Sequence, residues 1–193
     1  MQDSPANEIV RAQATRHLES YLLALGVDVR DPELKGMPAR VAEMMEGLLA
    51  GHDPERAPDL SPIANADGTA GLVLMRDLPF YSLCIHHLLP FFGRAHVGYL
   101  PGDRLAGIGD LAKTVEYFSH RLTLQERIAT ETAEFLETGL GARGVAVLLE
   151  GRHLCLEMRG QEKEAVFEAG AYRGELAQES RRFEFLSRLR RDA

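Results

Sequence analysis

The stretch "FYSLCIHHLLPFFG", Phe80 to Gly93, places Cys84, His86 and His87 close together inside an otherwise apolar run. Three groups that can donate lone pairs in so short a span suggest a metal. On either side, "LVLMRDL" from Leu72 and "RAHVGYL" from Arg94 read as strands joined through this segment. Further on, "GDLAKTVEYFSHRL" sets Leu111, Val115 and Phe118 at helical spacing. "LQERIATETAEFLETGLG" does the same with Ile128, Phe135, Leu136 and Leu140, and ends on glycines. "GVAVLLE" and "RHLCLEM" read as two more strands, with Gly151 and Arg152 between them as a tight hairpin turn. The order β-β-α-α-β-β predicts an α+β fold, an antiparallel sheet with helices on one face.

Upstream, Leu18, Tyr21, Leu22 and Leu25 predict a helix over about residues 6–25. "MPARVAEMMEGLLAG" predicts a second. Pro38 lies in its first turn, Val41, Met44, Met45 and Leu48 form its stripe, and Gly51 ends it. Residues 52–70, rich in Pro, Asp, Ala and Gly, read as a linker. The expected division is an N-terminal helical region with its linker, 1–70, and a main domain, 71–193. The tail "ELAQESRRFEFLSRLRRDA" reads as a short basic helix.

The 193 residues are 45% hydrophobic and 26% charged, as in ordinary soluble globular proteins. A formal net charge of -7 argues against a broad nucleic-acid surface. No apolar run reaches the roughly 18 residues that span a bilayer, and "MQDSPANEIVRAQ" has no apolar signal core. A cytoplasmic protein with neither nucleic-acid nor membrane partners is expected. The two cysteines, Cys84 and Cys155, could form a disulfide or fill core space as small residues. In a reducing compartment thiols are favoured, and the histidines beside both cysteines favour a metal site.

Alternation along the last predicted strand puts His153, Cys155, Glu157 and Arg159 on one face, with Leu154, Leu156 and Met158 on the other. Cys155 joined to the Cys84, His86 and His87 cluster supplies two thiolates and at least one imidazole, a set suited to zinc. Three protein ligands with an open water position would make a catalytic site. Four would make a structural one, with His86 or His153 as the fourth. Cys-x-x-His spacing lets Cys84 and His87 reach one ion across a turn. The neighbours His86 and His87 cannot easily point the same way, so one is left for other work. A metal-activated water could attack an electrophilic carbon, and a free histidine carries protons near neutral pH.

The ordered set of Cys-x-His-His, Gln-Glu-Arg, His-x-Cys and Met-Arg-Gly resembles GTP cyclohydrolase I. The likeness covers roughly residues 72–160 and is weaker in "MPARVAEM" and "RRFEFLSRL". It implies the tunnelling fold, with residues 71–193 as the catalytic domain. Subunits of that family pair edge to edge into β-barrel rings, commonly as a homodecamer with active sites at subunit interfaces. The resemblance implies Zn2+ held by Cys84, His87 and Cys155, and proton transfer by His86 and His153. It implies guanine binding by Glu126 beside Gln125, and phosphate binding by Arg159, Arg40 and Lys113. The implied reaction opens the guanine imidazole ring of GTP, releases formate and yields 7,8-dihydroneopterin triphosphate.

Three positions depart from the family pattern. Asp110 stands where a phosphate-binding lysine is usual, with Arg104, Lys113 and Lys163 as compensating cations. Glu157 would neighbour Arg159 on the predicted strand face and pair with it. Ile85 replaces a glutamate between the cysteine and the histidines. The alternatives are a member acting on a less phosphorylated or different purine, one stopping at ring opening, and a zinc-stapled scaffold without activity.

Overall fold

The computed structural model describes residues 5–190, so the ends of the two terminal readings, "MQDS" and "RDA", lie outside the described residues. The chain forms two compact units, Met1–Ala50 and Gly51–Ala193. In the first, α1 (Pro5–Ala24) packs against α2 (Met37–Leu48), with the short helical turn Pro32–Leu34 between them. Arg11 on α1 donates to Glu46 on α2 through Nε and Nη2, at 3.0 and 2.9 Å. Gly36, at φ 73°, reverses the chain just ahead of α2, and the buried Pro38 sits in its first turn.

The second unit contains β1 (Ile63–Ala64), β2 (Val73–Cys84), β3 (Pro90–Leu100), β4 (Arg104–Leu105), α3 (Ile108–Ser119) and β5 (Leu122–Thr123). It continues with α4 (Gln125–Leu140), β6 (Gly144–His153), the single turn α5 (Leu154–Glu157), β7 (Phe167–Gly174) and α6 (Glu179–Leu189). The main sheet has the order β5-β2-β3-β6-β7, and β1 pairs with β4 in a small ribbon. All pairings in the main sheet are antiparallel except β2 with β5, which is parallel. The fold is therefore α+β as expected, with a mixed sheet rather than a wholly antiparallel one.

α3 and α4 cover one sheet face. Leu111, Val115, Ile128, Leu136 and Leu140 from the helices pack with Phe80, Phe91, Val97, Tyr99, Val145, Val147 and Leu149 from the strands. Burial of each such large side chain stabilises the fold by about 1.5–3 kcal/mol. The tail helix α6 lies on the opposite face, where Phe185 and Leu176 join Leu72, Leu100 and Ala146. Helices thus occupy both faces, because β3 and β6 carry apolar side chains at successive positions.

Two expectations are corrected. Gly151 and Arg152 form no hairpin turn: β6 runs straight through them, and Gly151 pairs with Gly93 of β3 and Phe167 of β7. A Cβ on Gly151 would collide with Gln125 Oε1 and crowd Phe80, so this glycine makes room inside a strand. "RHLCLEM" is accordingly not the last strand; that role falls to "FEAGAYRG". The alternation that put His153, Cys155, Glu157 and Arg159 on one strand face does not exist.

Residues 51–70 are also more than a linker. Gly51 N–H donates to His120 O at 2.9 Å, and His52 Nε2 accepts from Leu122 N–H at 2.9 Å. Asn65 Nδ2 donates to the carbonyls of Thr69 and Gly102. Side-chain bonds of this kind replace the backbone ladder that apolar periodicity would reveal. No helix among the described residues is long and apolar enough to cross a membrane.

Candidate active site

β2 ends at Cys84, and the chain reverses before β3. Cys84 N–H donates to Leu89 O at 2.8 Å, while Cys84 O accepts from His87 N–H at 3.3 Å and Leu88 N–H at 2.9 Å. Leu88 takes a left-handed φ of 58° to complete the turn. The reversal folds His87 back over Cys84, with Nδ1 3.8 Å from Sγ. Cys155 arrives on α5, and the ligand atoms of Cys84, His87 and Cys155 all lie within 4.8 Å of one another. Tetrahedral zinc, with bonds of about 2.3 Å to sulfur and 2.0 Å to nitrogen, spaces its ligands roughly 3.5–3.8 Å apart. The donor set and its spacing fit such an ion with a small contraction. Both cysteines are free thiols. Burial, and then the adjacent Cys84, push the Cys155 thiol above its ordinary pKa, and the Arg159 charge pulls it down.

β5 brings distant sequence to this cluster. Cys84 pairs with Thr123, and Ile85 N–H donates to Thr123 O at 3.2 Å. The chain then enters α4, so Gln125 and Glu126 emerge beside Cys84. His153 closes β6 opposite Phe91 on β3. A cavity of about 270 Å³ results, lined by Cys84, Cys155, His86, His153, Gln125 and Glu126 and walled by Phe91 and Phe167. Ligand pockets usually begin near 300 Å³, so this one suits a ring-sized group, with the remainder of a larger ligand outside.

His153 is held on three sides. Its ring stacks on Phe91 at 4.7 Å and 4°, and meets Phe167 edge-on at 5.6 Å and 86°. Its Nε2 lies 2.9 Å from Gln125 Oε1. Gln125 is fully buried, and its amide nitrogen donates to Leu149 O and Phe167 O, both at 2.8 Å. Those two carbonyls decide which end of the amide is nitrogen, so the oxygen must face His153. Nε2 therefore carries the hydrogen and Nδ1 keeps the free lone pair. Burial pushes the His153 pKa below its ordinary value, against the opposing pull of Glu126 and Glu157. The sequence placed Gln125 with the substrate; in the fold its donors are occupied by the protein, and its oxygen orients His153.

His86 lines the cavity and His87 does not; their rings stand 6.1 Å apart at 66°. Glu126 is exposed in the first turn of α4, where the helix dipole favours a carboxylate. Ile85 is also exposed and takes no part in the lining.

The predicted phosphate-binding residues are more scattered. Arg159 is exposed beyond α5 and has no ion-pair partner among the described residues. The expected Glu157–Arg159 pair does not form. The α5 turn carries Glu157 back to Arg152, whose Nε and Nη2 reach its two oxygens at 3.0 and 2.6 Å. Lys113 is exposed on α3, outside the cavity lining. Arg40 belongs to the first unit, where its Nη1 donates to Lys35 O at 3.3 Å. Asp110 Oδ2 accepts from Ser61 N–H at 3.2 Å, so its carboxylate is engaged within the chain. Sequence reasoning missed Phe91 and Phe167 as walls and Thr123 as the tether. A glycine between two apolar runs, Gly151, was the available sign that a side chain inserts there.

Fold and site together define an α+β protein in which a Cys-His-Cys group able to hold a metal ion lies beside a cavity lined by two histidines and a glutamate. The family profile described as GTP cyclohydrolase I matches residues 14–190, and the chain belongs to that family. GTP cyclohydrolase 1 of Coxiella burnetii is 37% identical over 91% of this chain and 96% of its own length. GTP cyclohydrolase 1 of Deinococcus radiodurans is 42% identical over 75% of this chain and 67% of its own. Among solved structures, the apo form of archaeosine synthase QueF-Like overlays with a TM-score of 0.44 at 20% identity. That overlay covers 53% of this chain and 93% of the other, too distant a likeness to carry a conclusion.

Proposed function

We propose that this protein is a zinc-dependent GTP cyclohydrolase I, opening the guanine imidazole ring of GTP, releasing formate and yielding 7,8-dihydroneopterin triphosphate. The observation that carries the reading is the access of Cys84 and Cys155 to the same cavity as His86, His153 and Glu126. Cys84, His87 and Cys155 would hold the zinc. When bound, it supplies Lewis acidity and activates water near neutral pH. Glu126 accepts paired hydrogen bonds from the N–H edge of guanine. His153 offers the Nδ1 lone pair as a base, and His86 is the second proton carrier. Phe91 and Phe167 exclude bulk water from the base.

The triphosphate extends beyond the cavity toward Arg159. Lys113 and Arg40 complete its binding from neighbouring copies in a tunnelling-fold homodecamer, with sites at subunit interfaces. Residues 71–193 form the catalytic domain, with the helical region before them. The paired free thiols suit a cytoplasmic location. A less phosphorylated substrate, raised by Asp110 and Glu157, is the second reading; the pairing of Glu157 with Arg152 favours the triphosphate, while Asp110 keeps its charge beside Ser61 N–H.

Mass spectrometry of products from zinc-loaded protein tests the proposal, with GTP, GDP, GMP and guanosine compared. Formate with dihydroneopterin triphosphate from GTP is the expected result. No formate from GTP would overturn the activity; a preference for guanosine would overturn the triphosphate assignment.

A further inference from the structure

Beyond α5 the chain makes a narrow loop that carries Arg159. Its neck is closed by Lys163 N–H donating to Leu156 O at 3.3 Å, and Gly160 and Glu162 reverse it at φ 70° and 51°. Arg152, at the end of β6, grips both flanks. Besides its two bonds to Glu157, its Nη2 lies 3.3 Å from Glu164 Oε1. The Glu157 side chain is only 12% exposed, whereas that of Glu164 is 74% exposed. Glu157 is thus the firmly seated partner, and it is the acid nearest to Arg159 in sequence.

An arginine fork satisfies both oxygens of a carboxylate at once. With Arg152 in place, both Glu157 oxygens are engaged and its charge is balanced by an adjacent guanidinium, which weakens its pull on Arg159. With Arg152 removed, Glu157 would be an unpaired anion two residues from an unpaired guanidinium, in a loop short enough for them to meet. A pair formed there would compete with any external anion for Arg159. We infer that Arg152 is a positioning residue that sequesters Glu157 and so keeps Arg159 available to the phosphates of the substrate. The inference rests on the reading of GTP as substrate and of Arg159 as a phosphate contact. An ordinary exposed ion pair would affect stability slightly and nothing else.

Steady-state kinetics of the zinc-loaded full chain on GTP separate these roles. Arg152→Ala should raise KM for GTP roughly ten-fold, the scale of one charge-assisted contact, with kcat changed less than about two-fold. Adding Glu157→Gln to Arg152→Ala should bring KM back to within about two-fold of the parent, since the competitor is gone. Thermal midpoints of both variants establish that they are folded. If the single variant proves unfolded, Arg152→Gln replaces it, with the same expectation. An unchanged KM in the folded single variant overturns the inference, and so does a double variant as impaired as the single one. Arg159→Ala is the control, expected to raise KM on its own. If it does not, the reading of Arg159 as a phosphate contact fails instead.

Discussion

Gln125 shows how much one buried amide can decide. Its nitrogen is committed to Leu149 O and Phe167 O, and its oxygen to His153. Gln125→Ala would strip two carbonyls and one imidazole of their partners. We predict a stability loss of about 1–3 kcal/mol for the orphaned groups. We also predict a fall in kcat within the roughly 10²–10⁴-fold that a positioned acid–base group supplies. Thermal denaturation and formate release would check the two effects separately, with His153→Ala as the reference for complete loss of the imidazole. Cys84→Ala or Cys155→Ala removes a thiolate from the Cys84/His87/Cys155 group. Zinc measured by atomic absorption should then fall well below one ion per chain, with formate release lost alongside. Full zinc content in either variant would refute the assignment of that ligand.

At the scale of elements, the apolar periodicity of β2, β3, α3 and α4 was legible because each buries one continuous face in a shared core. Cys84, His86, His87, His153 and Cys155 were legible as residue types that carry chemistry, whatever their backbone, whereas Glu126 stood out only through the family resemblance. The end of β6 was not. A Gly-Arg pair between two apolar runs has the composition of a turn, and the space Gly151 leaves for Gln125 is a tertiary fact. The following "LCLE" alternates as a strand would, yet it forms a helical turn, which is why Glu157 meets Arg152 and not Arg159. β7 was missed because "FEAGAYRG" mixes glycines and charges, the signature of an edge strand with one side uncovered. Gly151→Ala should cost about 1–3 kcal/mol through overpacking, lowering the calorimetric midpoint by about 2–4 °C per kcal/mol. It should also reduce kcat, because Gln125 is the group displaced. Asp110→Ala should leave KM for GTP unchanged and cost about 0.5–1.5 kcal/mol for the lost Ser61 contact. A lowered KM in that variant would return Asp110 to the phosphate site.

At the scale of the whole molecule, the single chain leaves apolar surface unpartnered. Ile9, Val10, Tyr21, Leu23 and Leu25 of the first unit are all exposed. Among the described residues β5 pairs with Leu83 and Cys84 of β2, and the rest of that edge has no neighbouring strand. Exposed apolar side chains and open edges are normally covered by a partner. Light scattering should accordingly report an assembly of several chains, ten in the proposed form, and a monomeric mass would refute it. Chelation should lower the thermal midpoint and abolish formate release, and added zinc should restore both, since a ligand that binds only the folded state stabilises it. β6 ties these properties together. It runs through the middle of the sheet with Val145, Val147 and Leu149 in the core, then ends in His153 at the cavity. The same ten-residue strand therefore both holds the molecule together and presents His153, the proposed base. No heat-damaged form can keep its shape while losing this strand. Residual turnover after heating should thus track the fraction of chains still folded, making activity a direct gauge of structural integrity.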